Sequence, residues 1–191
     1  MLKLPRTIRL DPSDTFVFDR AAEPGEWAVS GAFVFWNADQ TTLGQKARVA
    51  LRSGFLGIDS FGWSTLAIVT EATEAERQAV VAGLAAQLLE KFGAPDAEAA
   101  RAAAEEEVAF AASLCDQPAQ TLLAVQRSFE DGEIRERFRT LKPREAVESS
   151  DSLHAHARAF TFHEIEGDDE PTEEVDLLGL MGTDRLSGKR K

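Results

Sequence analysis

The segment Thr73–Phe92, TEAERQAVVAGLAAQLLEKF, constrains the fold more than any other part of the chain. Its apolar side chains recur every three or four residues, which is the period of one buried helical face. These side chains are Val80, Val81, Leu84, Ala85, Leu88, Leu89 and Phe92. Thr73 and Glu76 have capping-box spacing at the start, and Gly93 is typical of a helix end. Such an amphipathic helix must pack on a sheet or on other helices.

Extended segments are predicted before this helix. Leu4–Leu10 alternates apolar and polar side chains, and Asp11–Asp14 has the composition of a turn. Thr15–Phe18 is then predicted to return as a strand. Trp27–Trp36 is predicted to be a strand that is apolar on both faces. Three strands are therefore expected before the first helix of the chain.

A shorter helix is predicted over Thr42–Phe55, with Thr42 and Gln45 in capping-box spacing. Trp63–Thr70 follows as a strand, with Leu66 and Ile68 expected to point inward.

A second long helix starts after the capping residue Asp96 and reaches Cys115. Its inner face is mostly alanine, and small side chains allow two helices to approach closely. We therefore expect this helix to pack back on the first one.

The segment Thr121–Leu141 is predicted to form a β-hairpin, because Asp131–Gly132 is typical of a two-residue turn. The inward-facing pairs are Phe129 with Ile134, Arg127 with Glu136, Val125 with Phe138, and Leu123 with Thr140.

The opposite face of this hairpin carries Arg135, Arg137 and Arg139 in a row beside Gln126 and Ser128. Guanidinium groups on one face repel each other unless an anion lies near them. The row is interpreted in three ways: cationic protection of an exposed edge, contact with an acidic protein surface, or binding of a small anion. The acidic run Glu164–Asp176 is a candidate acidic surface within the chain.

The formal net charge of the 191-residue chain is −12. Eight acidic residues and no Lys or Arg lie in Glu164–Asp176. This acidity argues against nucleic-acid binding, which needs a basic face. Cys115, the single cysteine, has no partner for an internal disulfide. Because no apolar run approaches the roughly 20 residues that span a bilayer, and no signal peptide is recognised, we predict a cytoplasmic protein without membrane contact.

The C-terminal part combines a last strand with an acidic tail. Residues 157–164 alternate as a strand, and His154 and His156 form an HxH pair that is a weak metal candidate. Residues 1–165 are predicted to be a single domain and residues 166–191 a flexible tail. The tail contains a short apolar docking segment, made of Val175, Leu177, Leu178 and Met181. This segment is interpreted either as a docking peptide or as a stretch that packs on its own domain or on nothing.

No catalytic motif is recognised in the chain. Gly54 and Gly57 precede a turn-rich loop, but their spacing fits neither common phosphate-binding motif. The consecutive Glu105–Glu107 have no His three residues on and are interpreted as a solvated helix face. Cys115 is expected to be buried and unreactive.

Four segments together resemble a bacterial family of small proteins that is known only as a domain of unknown function. They are PRTIRLDPSDTFVF, GFLGIDSFGWSTL, AAAEEEVAFAASLCD and QRSFEDGEIRERFRTL. The resemblance covers about residues 1–165 and supplies no catalytic residues. It implies a single compact accessory domain.

The sequence therefore predicts an α+β fold: an antiparallel or mixed sheet of six to seven strands with three helices mainly on one face. The predicted function is a non-enzymatic interaction or accessory domain that binds a protein partner, with no cofactor. Its contact sites are the arginine row and the tail. The alternative is a small-molecule or anion-binding domain, or an enzyme, with a pocket between sheet and helices and Trp27, Trp36 and Trp63 as walls.

Overall fold

The computed structural model describes residues 1–39, 41–143 and 160–164, with side chains described as far as Leu141. Its elements are β1 (Lys3–Ile8), α1 (Asp14–Val17), β2 (Ala28–Val29), a 3₁₀ helix (Ala32–Phe35), α2 (Gln45–Ser53), β3 (Phe55–Gly57), β4 (Trp63–Ser64), β5 (Leu66–Glu71), α3 (Glu74–Phe92), α4 (Ala97–Ser113), β6 (Leu122–Glu130), β7 (Glu133–Pro143) and β8 (Phe160–Glu164). The fold is α+β with antiparallel sheets, which confirms the predicted class.

The described strands form two sheets where the sequence predicts one. The larger sheet has the order β1-β5-β6-β7-β8, and the smaller has the order β2-β3-β4. An isolated antiparallel bridge between Arg6 and Trp27 joins β1 to the chain just before β2. The backbone N–H of Thr7 also donates to the Glu26 carbonyl at 2.9 Å. The two sheets are therefore neighbours, joined near Arg6 and Trp27 but without a continuous hydrogen-bond ladder.

Helix α3 is the predicted amphipathic helix. The Glu76 N–H donates to the Thr73 hydroxyl at 3.2 Å, and the Thr73 N–H donates to the Glu76 carboxylate at 2.8 Å. This reciprocal capping box satisfies two N–H groups that the first helical turn leaves free. Gly93 ends the helix at φ 65°, in the left-handed region that glycine tolerates. The predicted buried face is confirmed for Val80, Val81, Leu84, Ala85 and Leu88, whereas Leu89 and Phe92 lie partly exposed at its margin.

Helix α4 packs against α3 as an antiparallel hairpin, as predicted. The Asp96 carboxylate accepts from the Ala99 N–H at 2.8 Å and begins the helix. The residues that meet the main core are Ala100, Ala104, Val108 and Ala111, all fully buried. Their short side chains allow the close helix contact that the alanine-rich face predicts.

One face of the larger sheet packs against Ala28 of β2, Phe55 of β3 and the chain at the end of α4. Leu123 and Val125 of β6 share a cluster with Ala67 and Val69 of β5 and with Cys115 after α4. Two residues further along β6, Arg127 reaches the carbonyls at the end of α2. Because alternate residues of a strand share a face, α2 and the end of α4 lie on one face of β6. Arg135 and Arg137, which neighbour Glu136 on β7, belong to the other face.

Two predicted strands near the N-terminus are wrong. Thr15–Phe18 lies largely in the short helix α1, in which the Val17 N–H donates to the Ser13 carbonyl at 3.0 Å. The prediction failed because Asp11 and Pro12 begin a helical turn as readily as they end a strand. Trp27–Trp36 is a strand only over β2. Gly31 has φ 79°, which ends the strand and starts the 3₁₀ helix. A Cβ at Gly31 would lie 2.6 Å from the Leu56 Cβ, so the position also requires a small residue.

Two further details differ from the predictions. Helix α2 starts at Gln45 after Gly44, because the Thr42 hydroxyl donates to the Asp39 carbonyl at 2.8 Å and does not cap the helix. The predicted strand Trp63–Thr70 is broken between β4 and β5. The fully buried residues of β5 are Ala67 and Val69, so the prediction for Leu66 and Ile68 has the wrong face.

Candidate functional site

The β6–β7 hairpin has the predicted register. Phe129 pairs with Ile134 next to the turn, and the ladder continues residue by residue to Leu122 and Leu141. At the turn, Asp131 and Gly132 have φ values of 54° and 87°, as the turn type requires. The four predicted inward pairs are all present. A sequence signal of two residues therefore determines which side chains of both strands share a face.

The outer face of the hairpin carries the arginine row Arg135, Arg137 and Arg139. Arg135 and Arg137 are exposed, and Arg139 is partly buried. Their cross-strand partners are small or polar: Ser128, Gln126 and Ala124. The Arg135 Nε lies 3.1 Å from a Glu130 carboxylate oxygen, with both side chains about half exposed. An exposed pair of this kind contributes about 0–1 kcal/mol, so it leaves Arg135 available to other anions.

The inner face of the same hairpin holds a fourth arginine in a very different environment. The Arg127 side chain is fully buried, and its Nε donates to Glu136 at 2.6 Å. Its Nη1 donates to the carbonyls of Leu51 and Gly54 at 3.1 and 2.8 Å, where α2 ends. Its Nη2 donates to the carbonyl and the hydroxyl of Ser30. Arg127 thus joins the hairpin to α2 and to the end of β2, and its guanidinium is committed to that structural role.

Glu107 of α4 lies close to this ion pair. Burial and, less strongly, the Glu136 carboxylate raise the pKa of its carboxyl to about 7, and Arg127 opposes the increase. Burial also lowers the pKa of Arg127, while Glu136 opposes that change. The prediction that Glu105–Glu107 is a solvated face holds for the first two residues and is wrong for Glu107, which is partly buried. Sequence reasoning missed it because burial here depends on how α4 crosses the hairpin.

The loop after β3 binds the carboxylate of Glu26, which belongs to the same chain. The Asp59 and Ser60 N–H groups donate to one Glu26 carboxylate oxygen at 2.7 and 2.8 Å. The Ser60 hydroxyl and the Glu23 N–H donate to the other oxygen. Because a buried carboxylate fills the loop, the glycine-rich sequence serves loop geometry, in agreement with the rejection of a phosphate-binding motif here.

A cavity of about 480 Å³ opens between α2 and the hairpin. Its lining residues are Thr41, Leu43, Arg48, Leu51, Arg52, Arg127, Ser128 and Phe129. Arg48 and Arg52 lie one helical turn apart on α2 and are exposed. Within the described residues neither makes an ion pair. No sequence signal indicates this cavity, because the two arginines and Phe129 meet only once α2 has packed on β6.

The remaining predicted site residues do not gather into a second site in the described structure. The Trp63 ring stacks on the Phe35 ring, with the centroids 5.3 Å apart. The guanidinium carbon of Arg6 lies 3.7 Å from the centroid of the Trp27 ring. Trp36 is 70% exposed. None of the three lines the cavity. Cys115 is buried, as expected, and burial raises the pKa of its thiol to about 12.

Two groups of predicted site residues lie outside the described residues. They are the HxH pair, His154 and His156, and the apolar tail segment, Val175, Leu177, Leu178 and Met181. Across residues 1–39, 41–143 and 160–164, no group of three or more His, Cys, Asp or Glu side chains is arranged to hold a metal ion. No helix in that part of the chain is both long and apolar enough to span a membrane.

Comparison with known proteins identifies a family. A family model described as a family of unknown function, DUF6505, covers residues 1–159 and confirms the resemblance seen in the sequence. No curated protein and no solved structure matches the chain. The matched range includes the whole β6–β7 hairpin and α2, and it ends just before β8.

Proposed function

We propose that this chain, which belongs to the DUF6505 family of unknown function, is a non-enzymatic interaction domain that binds an acidic partner through the arginine row. One observation carries the proposal. Arg135 and Arg137 project from the outer face of the hairpin and are exposed, in a chain whose net charge is −12. A cationic row on an acidic protein attracts acidic partners and orients them, because like charges elsewhere repel the same partner.

The geometry of the row fits an extended acidic segment. Residues two apart on a strand are separated by about 6.6–6.8 Å, which is also the spacing of alternate side chains in an extended partner. Each guanidinium offers several N–H donors in one plane. This geometry matches the two oxygens of a carboxylate better than the ammonium group of a lysine does. The preferred partner is therefore a strand-like peptide with Asp or Glu at alternate positions.

The inner face supports this role by fixing the hairpin. Arg127 ties β6 to α2 and Ser30, and Glu136 ties β7 to the same buried network. Because these buried contacts fix both strands from the inner face, the guanidinium groups of the outer face have a fixed backbone position. Binding then costs little conformational ordering of the backbone.

The C-terminal tail is the second proposed contact, through Val175, Leu177, Leu178 and Met181. Affinity capture with the full chain is compared with a variant in which these four residues are changed to Ser. Loss of specific partners from the variant supports the tail contact, and equal recovery ends that part of the proposal. The cytoplasmic location, the bacterial origin and the absence of nucleic-acid binding stay predictions of the sequence.

The arginine row is tested with a fluorescein-labelled peptide that alternates Glu with Val, and fluorescence anisotropy gives its Kd at several salt concentrations. The variant Arg135→Glu/Arg137→Glu is compared with Arg48→Glu/Arg52→Glu, which changes the net charge equally at two positions on α2. We expect the first variant to weaken binding by about tenfold or more and the second by less than about twofold. Equal losses would show that only net charge matters, and no binding by the unsubstituted chain would exclude the proposal.

A second candidate function is anion binding in the cavity between α2 and β6. The observation that favours it is the pair Arg48 and Arg52 above the apolar side chains Leu43, Leu51 and Phe129. This combination suits a small ligand with one anionic group and an apolar body. Benzoate titrated into the same two variants separates the candidates, because only Arg48→Glu/Arg52→Glu removes a cavity site.

A further inference from the structure

The cavity beside α2 also borders a backbone edge of β6. Three consecutive residues of the strand, Arg127, Ser128 and Phe129, line it. Because consecutive side chains point to opposite faces of a sheet, what these three residues share is an edge of the strand. The edge toward β7 is occupied by the ladder that runs to the pair Glu130–Glu133. The cavity therefore lies along the opposite edge of β6.

Strand β5 covers only the first part of this edge. The last pair of the β5–β6 ladder is Leu66–Ala124. The chain just before Leu66 belongs to β4, which pairs with β3 in the smaller sheet. Beyond Ala124, α2 packs against β6, and its Leu51 carbonyl accepts from the Arg127 side chain at 3.1 Å. The second half of β6 thus meets a helix and a cavity where the first half meets a strand.

The hydrogen-bond pattern of β6 determines which backbone groups point toward the cavity. In an antiparallel ladder, alternate residues direct their N–H and C=O groups to alternate edges. The Thr121 carbonyl accepts from the Val69 N–H of β5 at 2.9 Å, so every second residue after Thr121 directs its backbone groups to the β5 side. The two-residue turn gives the same result, because it closes with Glu130 bonded to β7. Arg127 and Phe129 therefore direct their N–H and C=O groups to the cavity side.

The side chains around the cavity place positive charge and apolar surface next to this edge. Arg48 and Arg52 are exposed, and neither forms an ion pair with another described residue. The apolar lining consists of Leu43, Leu51 and Phe129. From Arg127 to Phe129 the strand spans about 6.6–6.8 Å, which leaves room for two or three residues of an extended partner.

The end of a polypeptide chain matches this combination of groups. Its last residues offer a backbone that can pair with a strand edge, one apolar side chain and a carboxylate joined directly to that backbone. The cavity volume of about 480 Å³ suits a ligand of this size. A continuous acidic segment would have to run on past the cavity in both directions. The chain terminus is therefore the better match.

We propose that the cavity binds the free C-terminus of an extended partner peptide, which adds a short strand to β6 at Arg127 and Phe129 and places its carboxylate at Arg48 and Arg52. The inference rests on the second candidate function, because it names the ligand of the same cavity. Main-chain hydrogen bonds supply affinity, and the apolar lining selects an apolar last residue.

Nuclear magnetic resonance of the nitrogen-labelled full chain tests the position of the peptide. The probe is the acetylated peptide Gly-Thr-Val-Thr-Val with a free C-terminus, titrated to millimolar concentration. At saturation we expect amide hydrogen exchange of Arg127 and Phe129 to slow by about tenfold or more. The amides of Gln126 and Ser128, which point to β7, should keep their exchange rates. Slower exchange at Gln126 and Ser128 alone, or no change at any of the four, would overturn the proposal.

Two matched comparisons test the carboxylate. The same peptide ending in an amide keeps its backbone but loses its charge, and it should bind about tenfold or more weakly. Arg48→Gln/Arg52→Gln should weaken binding of the free acid by a similar factor. Arg77→Gln/Arg101→Gln removes the same charge from surface ion pairs on α3 and α4 and should change the Kd by less than about twofold. Equal Kd values for acid and amide, or equal losses in the two variants, would contradict the proposed carboxylate contact.

Benzoate separates this inference from the second candidate function, because it has an anionic group and an apolar ring but no peptide backbone. If benzoate binds the unsubstituted chain but not Arg48→Gln/Arg52→Gln, and the peptide does not bind, the anion-binding cavity stands and the added strand is excluded. The alternating Glu–Val probe for the arginine row ends in an amide, so it presents no free C-terminus to the cavity.

Discussion

Arg127 and Glu136 face each other across the β6–β7 hairpin, with 2.6 Å between the Arg127 Nε and a Glu136 carboxylate oxygen. The arginine side chain is fully buried and the glutamate side chain is 16% exposed. The same guanidinium donates to the Gly54 carbonyl at the end of α2. One side chain therefore fixes the position of α2 against the sheet and holds the hairpin whose outer face carries the arginine row.

Arg127→Met is expected to lower the free energy of unfolding by about 3–5 kcal/mol, because it removes the positive charge beside Glu136, which keeps only the Ser30 hydroxyl as a donor, and takes away the guanidinium donor to several carbonyl groups. Urea denaturation followed by circular dichroism measures the change. Arg137→Met is the matched control, since that side chain is exposed, and it should change stability by less than about 0.5 kcal/mol. Similar effects of the two substitutions would contradict the structural role of Arg127.

The partly buried Glu107 makes stability depend on pH near neutrality. Its pKa is raised from 4.5 to about 7 in the folded protein. Between these two values the folded state binds more protons than the unfolded state, so this group's contribution to stability falls as the pH rises from 4.5 to 7. Glu107→Gln cannot ionise. The free energy of unfolding of this variant is therefore expected to increase, relative to that of the unsubstituted protein, by on the order of 1–3 kcal/mol as the pH rises across this range.

The measurement for Glu107 is the difference in unfolding free energy between the two proteins at several pH values. Glu105→Gln provides the control, because Glu105 is exposed and forms a surface pair with Arg101 at 3.0 Å. Surface carboxylates with lowered pKa values, such as Glu74 and Glu76, lose their stabilising effect only as the pH falls below about 4.5. A difference that does not vary with pH would exclude the buried environment of Glu107.

The parts of the fold that the sequence predicts correctly are those whose signals are local. Helix α3 carries its capping box, its apolar face and its terminal glycine within one continuous segment. The hairpin register follows from Asp131–Gly132 alone, because side chains alternate from the turn outward. The same alternation identifies each member of the arginine row from its distance to the turn.

Features that depend on distant contacts were missed. The segment Trp27–Trp36 has the composition of a strand, but close packing against Leu56 and the backbone angle of Gly31 end it after two residues. Thr15–Phe18 is too short for its period to distinguish a strand from a helix. The cavity beside Arg48 and Arg52, and the raised pKa of Glu107, arise only when helices pack on the hairpin. The hydrophobic pattern of a single segment cannot predict contacts between helices and a hairpin that are distant in the sequence.

Gly57→Ala is expected to destabilise the protein by about 2 kcal/mol or more, since overpacking of a buried site forces neighbours apart. A Cβ at Gly57 would lie 2.4 Å from the Glu26 carboxyl carbon, and that carboxylate holds the Asp59–Ser60 loop. Gly44→Ala is the control, because nothing lies within 4 Å of its added Cβ, and it should cost less than about 1 kcal/mol. Thermal unfolding of both variants provides the comparison, and equal midpoints would be inconsistent with the packed Glu26 loop.

The thiol of Cys115 is expected to be almost inert in the folded protein. Its pKa is raised to about 12 by burial, so at about pH 8 its thiolate fraction is on the order of a thousandfold below that of an exposed cysteine. A coloured disulfide reagent should therefore react at least about a thousandfold more slowly with native protein than with protein in concentrated guanidinium chloride. Arg137→Cys supplies an exposed thiol in the same chain as a positive control, and it should react at once while Cys115 does not. Rapid labelling of Cys115 in the native chain would mean that the cluster formed by the end of α4 with Leu123 and Val125 opens readily to solvent.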